Sequence, residues 1–271
     1  MFKYKYMIVS SSPSPSPPLD WRRIADARAN ARLGHTVVYY PSIGSTNIAA
    51  RALARMGARD GTVVLADEQT QGRGRQGRRW IAPPRAGLAA SALLRLTADF
   101  PLPALVMASA LAAGDTVRAV VGPSRCTLKW PNDVLVDEAK VGGILLELDQ
   151  VGSSWAVVIG IGINVNAAPD LPNVCSLAGA TGRHIAREPL LLDLLEALEA
   201  YVDLAAREPA AVLRLWRERL STIGREISVR APDSVFEGVA ADVDADGALL
   251  VRLPDGTLRP VHAGDVSLGS G

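Results

Sequence analysis

The fold is decided by residues 127–165, TLKWPNDVLVDEAKVGGILLELDQVGSSWAVVIGIGINV, in which four apolar stretches are separated by turn-forming residues. The stretches predict short strands at 127–130, 134–136, 141–148 and 155–165. Glycines interrupt the last two strands, as Gly142-Gly143 and again at 160 and 162. A glycine inside an apolar strand marks a bulge or a place where backbone or ligand approaches closely. Both interpretations are open for these strands.

The chain on either side of this segment adds strands and helices in mixed order. Ser45-Thr46-Asn47 precedes apolar residues at helical spacing, which predicts a helix N-terminus there. The other expected elements are a short helix within 20–32, strands at 36–40, 62–66 and 87–96, and helices at 103–121, 190–206 and 210–220. This order predicts an α+β fold with a mixed central sheet and flanking helices.

The chain divides into three parts by composition. Residues 1–19 include an alternating Ser/Pro run that cannot bury enough apolar surface to fold, which predicts a disordered tail. Residues 20–223 hold the mixed elements and predict the main domain. Residues 224–271 contain short alternating strands separated by turn residues, which predicts a small C-terminal β-barrel.

Composition excludes several classes of protein. A net charge of +1 over 271 residues excludes a protein that coats DNA through a global positive field. Two cysteines and three histidines without ligand spacing predict no disulfide framework and no zinc site. The N-terminal apolar stretch is too short for a signal peptide, and no uncharged run is long enough to span a membrane. We therefore expect a cytoplasmic protein without a membrane anchor.

The basic residues are strongly biased toward arginine. Of 29 Lys and Arg residues only four are lysines, and two of those lie in the first five residues. Lys129 and Lys140 are therefore candidates for work that a guanidinium cannot do. For Lys140 the alternative is an exposed lysine at a strand end, and for Lys129 it is a packed stem with its charge at the rim.

The segment Gly72–Trp80, GRGRQGRRW, contains the spacing G-x-G-x-x-G after a predicted strand. A dinucleotide-binding site would need a helix to follow, and Trp80-Ile81-Ala82-Pro83-Pro84 cannot form one. A nucleic-acid-binding Arg/Gly segment and a solvated charged loop are the alternatives. We favour an anion-binding loop, in which glycines admit backbone N–H groups to a phosphate and arginines supply forked hydrogen bonds.

Two asparagines and an aspartate complete the candidate polar residues. Asn132 and Asp133 bring oxygen ligands to a strand start, which suits Mg²⁺ beside substrate phosphates, although Asn-Asp after Pro is also a common turn. Asn164 ends the glycine-containing strand and offers both a donor and an acceptor.

In combination these segments resemble the biotin–protein ligases, also called biotin–[acetyl-CoA-carboxylase] ligases. The resemblance extends from about residue 36 to 268 and rests on five motifs in register: Ser45-Thr46-Asn47, Gln69 with Gly72–Trp80, Lys129–Asp133, Lys140–Leu145 and Gly160–Asn164. It implies a catalytic domain of the class II synthetase-like biotin/lipoate ligase type and an SH3-like barrel. Gln76 departs from the family, whose members often carry a basic residue there.

The resemblance also implies individual residue roles. The implied biotin-binding residues are Ser45, Thr46, Asn47, Gln69, Arg73, Gly74, Arg75, Lys140, Gly143 and Gly160. The implied ATP- or adenylate-binding residues are Arg73, Arg75, Arg78, Trp80, Asn132, Asp133, Lys140 and Asn164. Lys140 and Arg75 are the implied catalytic residues, and Asp133 and Asn132 the implied Mg²⁺ ligands.

The implied reaction joins biotin to ATP as biotinyl-5'-AMP and then to a lysine of a biotin carboxyl carrier protein. A homodimer, or a monomer–dimer equilibrium, is expected from the family. Because a repressor-type DNA-binding domain needs about 60 residues and 44 precede Ser45, a monofunctional enzyme without DNA binding is expected. The alternatives are a lipoate or octanoate ligase or transferase of the same fold and, from another class, a nucleic-acid-binding module.

Overall fold

The computed structural model describes residues 16–152, 154–231 and 234–268, and a seven-stranded sheet forms its centre. Its strands are β1 (Thr36–Tyr40), β2 (Thr62–Ala66), β3 (Gly87–Thr97), β4 (Cys126–Lys129), β5 (Asp133–Val136), β6 (Ala139–Val151) and β7 (Ser154–Asn164). Their order is β1-β2-β3-β7-β6-β5-β4, and only β1 and β2 run parallel. The predicted mixed sheet is confirmed: β1 and β2 have the predicted bounds, and the other strand ends are displaced by at most three residues.

Helices cover both faces of this sheet. They are α1 (Trp21–Ala27), α2 (Thr46–Arg55), α3 (Leu102–Val121), α4 (Leu177–Thr181), α5 (Arg187–Arg207) and α6 (Pro209–Arg219). Helix α2 packs on β2, β3 and β7, whereas α3, with α5 and α6 behind it, packs on the opposite face. The helix expected within 20–32 is shorter than predicted. Helix α4 was not predicted because five residues are too few to show helical periodicity.

Helix α3 forms the centre of the larger core. It is long and apolar enough to cross a membrane by length and composition alone, and 72% of its most apolar window is buried inside the protein. Its buried side chains pack against β4, β5, β6 and α5. A mostly apolar helix suits such a core position, because neighbouring elements cover most of its surface.

The C-terminal residues form a second, antiparallel sheet of five strands. They are β8 (Glu226–Ala231), β9 (Ser234–Val243), β10 (Leu249–Arg252), β11 (Leu258–Val261) and β12 (Asp265–Leu268), in the order β11-β10-β9-β8-β12. Trp130, which was expected to end a strand, instead lies buried after β4 and donates from its indole Nε1 to the Gly247 carbonyl oxygen at 3.0 Å. This hydrogen bond joins the two domains beside the turn that precedes β5.

The predicted N-terminal tail requires a correction at its end. Residues 1–15 lie outside the described residues, but Ser16 and Leu19 are buried against the main domain. The Ser16 hydroxyl lies 3.1 Å from His184 Nε2 and accepts a hydrogen bond from Asn166 Nδ2 at 3.1 Å. The Ser/Pro composition did not indicate these contacts, because they depend on polar partners about 150 residues away.

A buried ion pair holds the start of α5 against the end of β2. Arg187 Nη1 lies 2.9 Å from Asp67 Oδ1, and both side chains are less than 5% exposed. Arg187 also donates to the carbonyl oxygens of Pro17 and Gly87, and the Tyr39 hydroxyl donates to Asp67 Oδ2 at 2.7 Å. Burial and this hydrogen bond raise the pKa of Tyr39 to about 12. The pair therefore connects the N-terminal segment, β1 and α5.

Replacing Arg187 by Met should lower the free energy of unfolding by about 3–5 kcal/mol, because it leaves the Asp67 carboxylate buried without a cationic partner. Urea unfolding followed by far-UV circular dichroism measures the change. The matched control is Arg217→Met, which breaks an exposed ion pair with Asp242 and should leave the midpoint almost unchanged. Equal effects of the two substitutions would contradict the structural importance of the buried pair.

Candidate active site

A cavity of about 230 Å³ lies on the α2 side of the central sheet, between the Gly/Arg loop (residues 72–80) and strand β12 of the barrel. Every site residue predicted from the sequence lines it except Asn164. These lining residues are Ser45, Thr46, Asn47, Gln69, Arg73, Gly74, Arg75, Arg78, Trp80, Asn132, Asp133, Lys140, Gly143 and Gly160. The fold thus brings together motifs that are up to 115 residues apart in the chain.

Two glycines of β7 form the floor of the cavity. A Cβ atom on Gly160 would stand 2.1 Å from Asn47 Oδ1, and one on Gly162 would stand 2.5 Å from the Trp80 ring. Gly160 and Gly162 are two residues apart and therefore face the same side of the sheet. The sequence left open a bulge or a close approach of backbone or ligand at these glycines, and the groups that approach them are side chains of the protein itself.

At one end of the cavity the first turn of α2 is held by a hydrogen-bond network. Thr46 donates to Gln69 Oε1 from its backbone nitrogen at 2.8 Å and from its hydroxyl at 3.1 Å. The buried Ser91 hydroxyl lies 2.6 Å from Asn47 Oδ1, and Asn47 Nδ2 donates to Leu145 O at 3.2 Å. Both the oxygen and the nitrogen of the Asn47 carboxamide are therefore hydrogen-bonded to other groups of the protein.

Glu147, which the sequence analysis missed, connects this frame to the Gly/Arg loop. It accepts hydrogen bonds from Asn47 Nδ2 at 2.9 Å, Arg51 Nη1 at 3.2 Å and Arg73 Nη1 at 3.0 Å, and its side chain is 12% exposed. A charged residue at the centre of the apolar strand β6 is the signal that could have indicated it. Burying a carboxylate in a strand requires cationic partners, which α2 and the loop supply.

The Gly/Arg loop is a small hairpin that crosses the cavity. Its arms are joined by hydrogen bonds from Trp80 N to Gly72 O at 2.9 Å and from Gly74 N to Arg78 O at 2.8 Å. Arg73 pairs with Glu147, and Arg78 pairs with Asp265 of the barrel. Carboxylates on two separate walls therefore hold the loop in place.

Two further side chains of the loop face into the site. Arg75 Nη1 reaches Asn132 Oδ1 at 3.4 Å, and burial lowers the pKa of the Arg75 guanidinium. The Trp80 indole covers Gly162, and its buried Nε1 has no hydrogen-bond partner among the described residues. Buried polar groups normally have partners, so the unpaired Trp80 Nε1 indicates that a polar ligand fits on the loop side of the cavity.

Opposite the loop, Lys140 lies 2.6 Å from Asp133 Oδ1. The backbone around Lys140 is fixed by hydrogen bonds to Asn173 O at 2.7 Å and from Cys175 N at 2.9 Å. Asn132 is held by its Nδ2, which donates to Ile144 O at 2.6 Å. The ammonium and the carboxylate thus stand side by side in the cavity, a pairing that the sequence analysis did not predict.

The oxygen donors of this wall fit a magnesium ion that arrives with phosphates. No group of three His, Cys, Asp or Glu side chains suited to a metal occurs within residues 16–152, 154–231 and 234–268. Asp133 supplies one carboxylate and Asn132 one amide oxygen at the cavity wall. Magnesium commonly takes one or two carboxylates and completes its coordination with phosphate oxygens and water.

Asn164 lies outside the cavity lining. It is 1% exposed, and its Nδ2 donates to Cys175 O at 3.1 Å, while its Oδ1 is buried without a partner in the described part of the chain. It follows Gly162 on the same side of β7, which places it beyond the strand segment that Trp80 covers. The structure therefore does not bring it among the lining residues as predicted.

The barrel supplies residues that no sequence motif indicated. Asp265, Val266 and Ser267 of β12 line the cavity opposite the sheet. The side chain of Lys129, at the end of edge strand β4, lines it as well. The site is therefore shared between the two domains.

Comparisons with known proteins agree with this architecture. The profile of the Biotin/lipoate A/B protein ligase family matches residues 39–164, and that of the Biotin protein ligase C terminal domain matches residues 222–269. The chain is 36% identical to the biotin–[acetyl-CoA-carboxylase] ligase of Mycobacterium tuberculosis, over 92% of this chain and 96% of that one. It is 34% identical to the bifunctional ligase/repressor BirA of Bacillus subtilis, over 88% of this chain and 75% of that one.

Solved structures give the same result. The biotin protein ligase from Aquifex aeolicus in complex with biotin and ATP superposes with a TM-score of 0.72 at 25% identity, covering 87% of this chain and 99% of the other. The two sheets and the cavity between them are thus those of a ligase fold. The chain belongs to the biotin protein ligase family.

Removing the two carboxylates that hold the Gly/Arg loop should speed its cleavage by trypsin, which cuts after arginine. Partly exposed ion pairs contribute up to about 1 kcal/mol each, or about fivefold in the population of an opened loop. The double variant Glu147→Gln with Asp265→Asn should therefore be cleaved within residues 73–79 several-fold faster than the unchanged protein, as measured by mass spectrometry of early fragments.

The control is Asp242→Asn, which breaks an exposed pair with Arg217 away from the loop. Raising the salt concentration should accelerate cleavage of the unchanged protein more than that of the double variant, because salt screens the pairs that the variant already lacks. Equal cleavage rates in all three proteins would show that these pairs do not hold the loop.

Proposed function

We propose that this chain is an ATP-dependent biotin–protein ligase that forms biotinyl-5'-AMP and transfers biotin to a lysine of a biotin carboxyl carrier protein. The observation that carries the proposal is the position of Lys140. Its ammonium lies between a polar end built from α2 and the arginines of a loop that crosses the cavity. One ligand carboxylate and one phosphate can meet at that ammonium.

The ureido head of biotin is assigned to the polar end of the cavity. Ser45, Thr46 and Gln69 offer hydroxyl and amide groups there. The Ser91 hydroxyl contacts both the Asn47 carboxamide and the Thr46 hydroxyl and so fixes the first turn of α2. The backbone at Gly143 and Gly160 leaves room for the ring system and its chain. This arrangement directs the carboxylate of biotin toward Lys140.

Lys140 is assigned the task of holding the biotin carboxylate against the α-phosphate of ATP. Two anions repel each other, and a compact ammonium with three donors can contact an oxygen of each. Asp133 holds the ammonium before the substrates arrive. When the biotin carboxylate and the α-phosphate replace the Asp133 carboxylate, the Lys140 ammonium neutralises both anions at the point where the new bond forms.

The nucleotide is assigned to the loop side of the cavity. Arg73, Arg75, Arg78 and the backbone at Gly74 offer donors to the phosphates. Trp80, which lines that side of the cavity, is assigned to the adenine ring. If the loop arginines exchanged their carboxylate partners, Glu147 and Asp265, for phosphate oxygens, the loop would close over the adenylate and exclude water.

Magnesium belongs to the proposal as an ion held by Asp133 and Asn132 together with the phosphates. When bound, it supplies positive charge to the departing pyrophosphate. In the first step a carboxylate oxygen of biotin attacks the α-phosphorus, and the bond from that phosphorus to the bridging oxygen breaks. The geometry of the chain serves this step by alignment and neutralisation.

In the second step the ε-amine of the carrier lysine attacks the carbonyl carbon of the mixed anhydride, and AMP leaves. The attacking amine must lose a proton, and Asp133, freed from Lys140, is the carboxylate positioned to accept it. We further infer a homodimer and a cytoplasmic location, as the resemblance implies. Sedimentation with and without biotin and ATP tests the dimer.

Lipoate or octanoate ligation is the weaker alternative. The C-terminal match is to a biotin protein ligase domain, and the named relatives are biotin ligases. The test is ATP–pyrophosphate exchange by the purified chain. We expect exchange that depends on biotin, and exchange with lipoate or octanoate but without biotin would overturn the proposal.

Within that assay, Lys140→Arg should lower the exchange rate roughly a hundredfold or more, comparable to removal of a transition-state donor. A guanidinium keeps the charge but is planar and larger, so it cannot place one donor group between two oxygens in the same space. Lys140→Met is the comparison, and both variants should be nearly inactive with unchanged thermal unfolding. Activity retained by the arginine variant alone would reduce the role of Lys140 to its charge.

A further inference from the structure

Lys129 is a lining residue to which the preceding mechanism gives no task. It pairs with Asp133 across the β4–β5 hairpin, and Asp133 in turn pairs with Gly143 of β6 and Gly143 with Gly162 of β7. Residues paired across neighbouring antiparallel strands share a face. Lys129 therefore lies on the cavity side of the sheet. It ends the series of cross-strand neighbours that starts at Gly162, the glycine that Trp80 covers.

The other lining cations are engaged with groups of the protein. Lys140 pairs with Asp133, Arg73 with Glu147 and Arg78 with Asp265. Arg75 reaches an amide oxygen of Asn132, and Arg79 donates to Thr70 O at 2.9 Å. Among the described residues, the Lys129 ammonium forms no ion pair and donates no hydrogen bond, although it is partly buried.

Its surroundings raise the cost of that isolated charge. Burial lowers the pKa of Lys129, and Lys140 and Arg78 lower it further, whereas Asp133 and Asp265 oppose the shift. A desolvated cation without a counterion is unfavourable unless a ligand supplies one. The packed-stem interpretation of Lys129 explains its aliphatic part and leaves the charge without a role.

The direction of the first reaction step indicates which ligand this is. The biotin carboxylate approaches from the Asn47 end of the floor, and the leaving group of an in-line displacement departs on the opposite side of the phosphorus. Lys129 stands on that opposite side, beyond Asp133 and next to the barrel. Three inter-strand spacings separate β4, which ends at Lys129, from β7, on which Asn47 packs.

We propose that Lys129 binds the β- and γ-phosphates of ATP and the pyrophosphate that they become, a role that rests on the proposed ligase function. As the bond between the α-phosphorus and the bridging oxygen breaks, its electron pair stays on that oxygen. The pyrophosphate gains one negative charge, which the ammonium of Lys129 stabilises by a charge-assisted hydrogen bond. No proton moves in this step.

The rival role for Lys129 is proton acceptance from the carrier lysine in the second step. The two roles separate experimentally, because pyrophosphate takes part only in the first step. Supplying biotinyl-5'-AMP directly to the enzyme and the carrier protein starts the reaction after pyrophosphate has left. A residue that binds only pyrophosphate has no part in that reaction.

The experiment compares Lys129→Met and Lys129→Arg with the unchanged enzyme in biotin-dependent ATP–pyrophosphate exchange. Loss of one hydrogen bond to a charged group predicts a rise of about 10- to 100-fold in the KM for pyrophosphate in the methionine variant. The KM for biotin should change less than about twofold, since an unrelated end of the cavity binds it. The arginine variant, which retains the charge, should recover most of the pyrophosphate affinity.

Transfer from supplied biotinyl-5'-AMP should proceed at the unchanged rate in the methionine variant. A slowed transfer together with an unaltered KM for pyrophosphate would overturn the proposal in favour of proton acceptance. Unaltered values in both assays would overturn it in favour of packing alone. Absence of biotin-dependent exchange by the unchanged chain is a separate result, which refutes the ligase function itself.

Calorimetric titration of inorganic pyrophosphate into the protein without biotin or ATP gives a second measurement. The unchanged protein should bind it at least about tenfold more tightly than the methionine variant. If Lys129→Met does not fold, Lys129→Gln removes the charge with a similar side-chain length and supplies the same comparison. Equal pyrophosphate affinities in the charged and neutral forms would contradict the proposal.

Discussion

The close approach of side chains to the bare backbone of β7 is the constraint on which the site depends. Asn47 and Trp80 occupy the space that Cβ atoms would fill at Gly160 and Gly162. Because both glycines face the same way, one strand supports the polar end of the cavity and the indole of the loop. The position of α2, the path of the loop and the depth of the cavity all depend on the absence of side chains at these two glycines.

A second organising feature is that carboxylates of the protein pair with the cations that are proposed to bind the anionic groups of the substrates. Glu147, Asp133 and Asp265 neutralise Arg73, Lys140 and Arg78 respectively. These contacts keep a strongly cationic cavity compatible with a stable fold, since unpaired charges repel and resist burial. Phosphates that compete for the same cations replace existing partners and so meet a site that is already assembled.

The sequence predicted the mixed sheet, because its strands are apolar stretches that are bounded by turn-forming residues and carry glycines inside them. It predicted most of the cavity lining, because the motifs lie at strand ends and in one loop. Glu147 and Asp265 escaped prediction, since each has meaning only through an arginine brought close by folding. The burial of Ser16 escaped for the same reason, because its partners are distant in sequence.

The hydrogen bond from Trp130 to Gly247 and the pairing of Arg78 with Asp265 have a consequence for how the molecule is assembled. Both contacts cross from the sheet domain to the barrel, and both lie at the cavity. A ligand held there stiffens the junction between the domains at the same time as it fills the site. The barrel thus forms one wall of the cavity, and removing it would open the cavity to water.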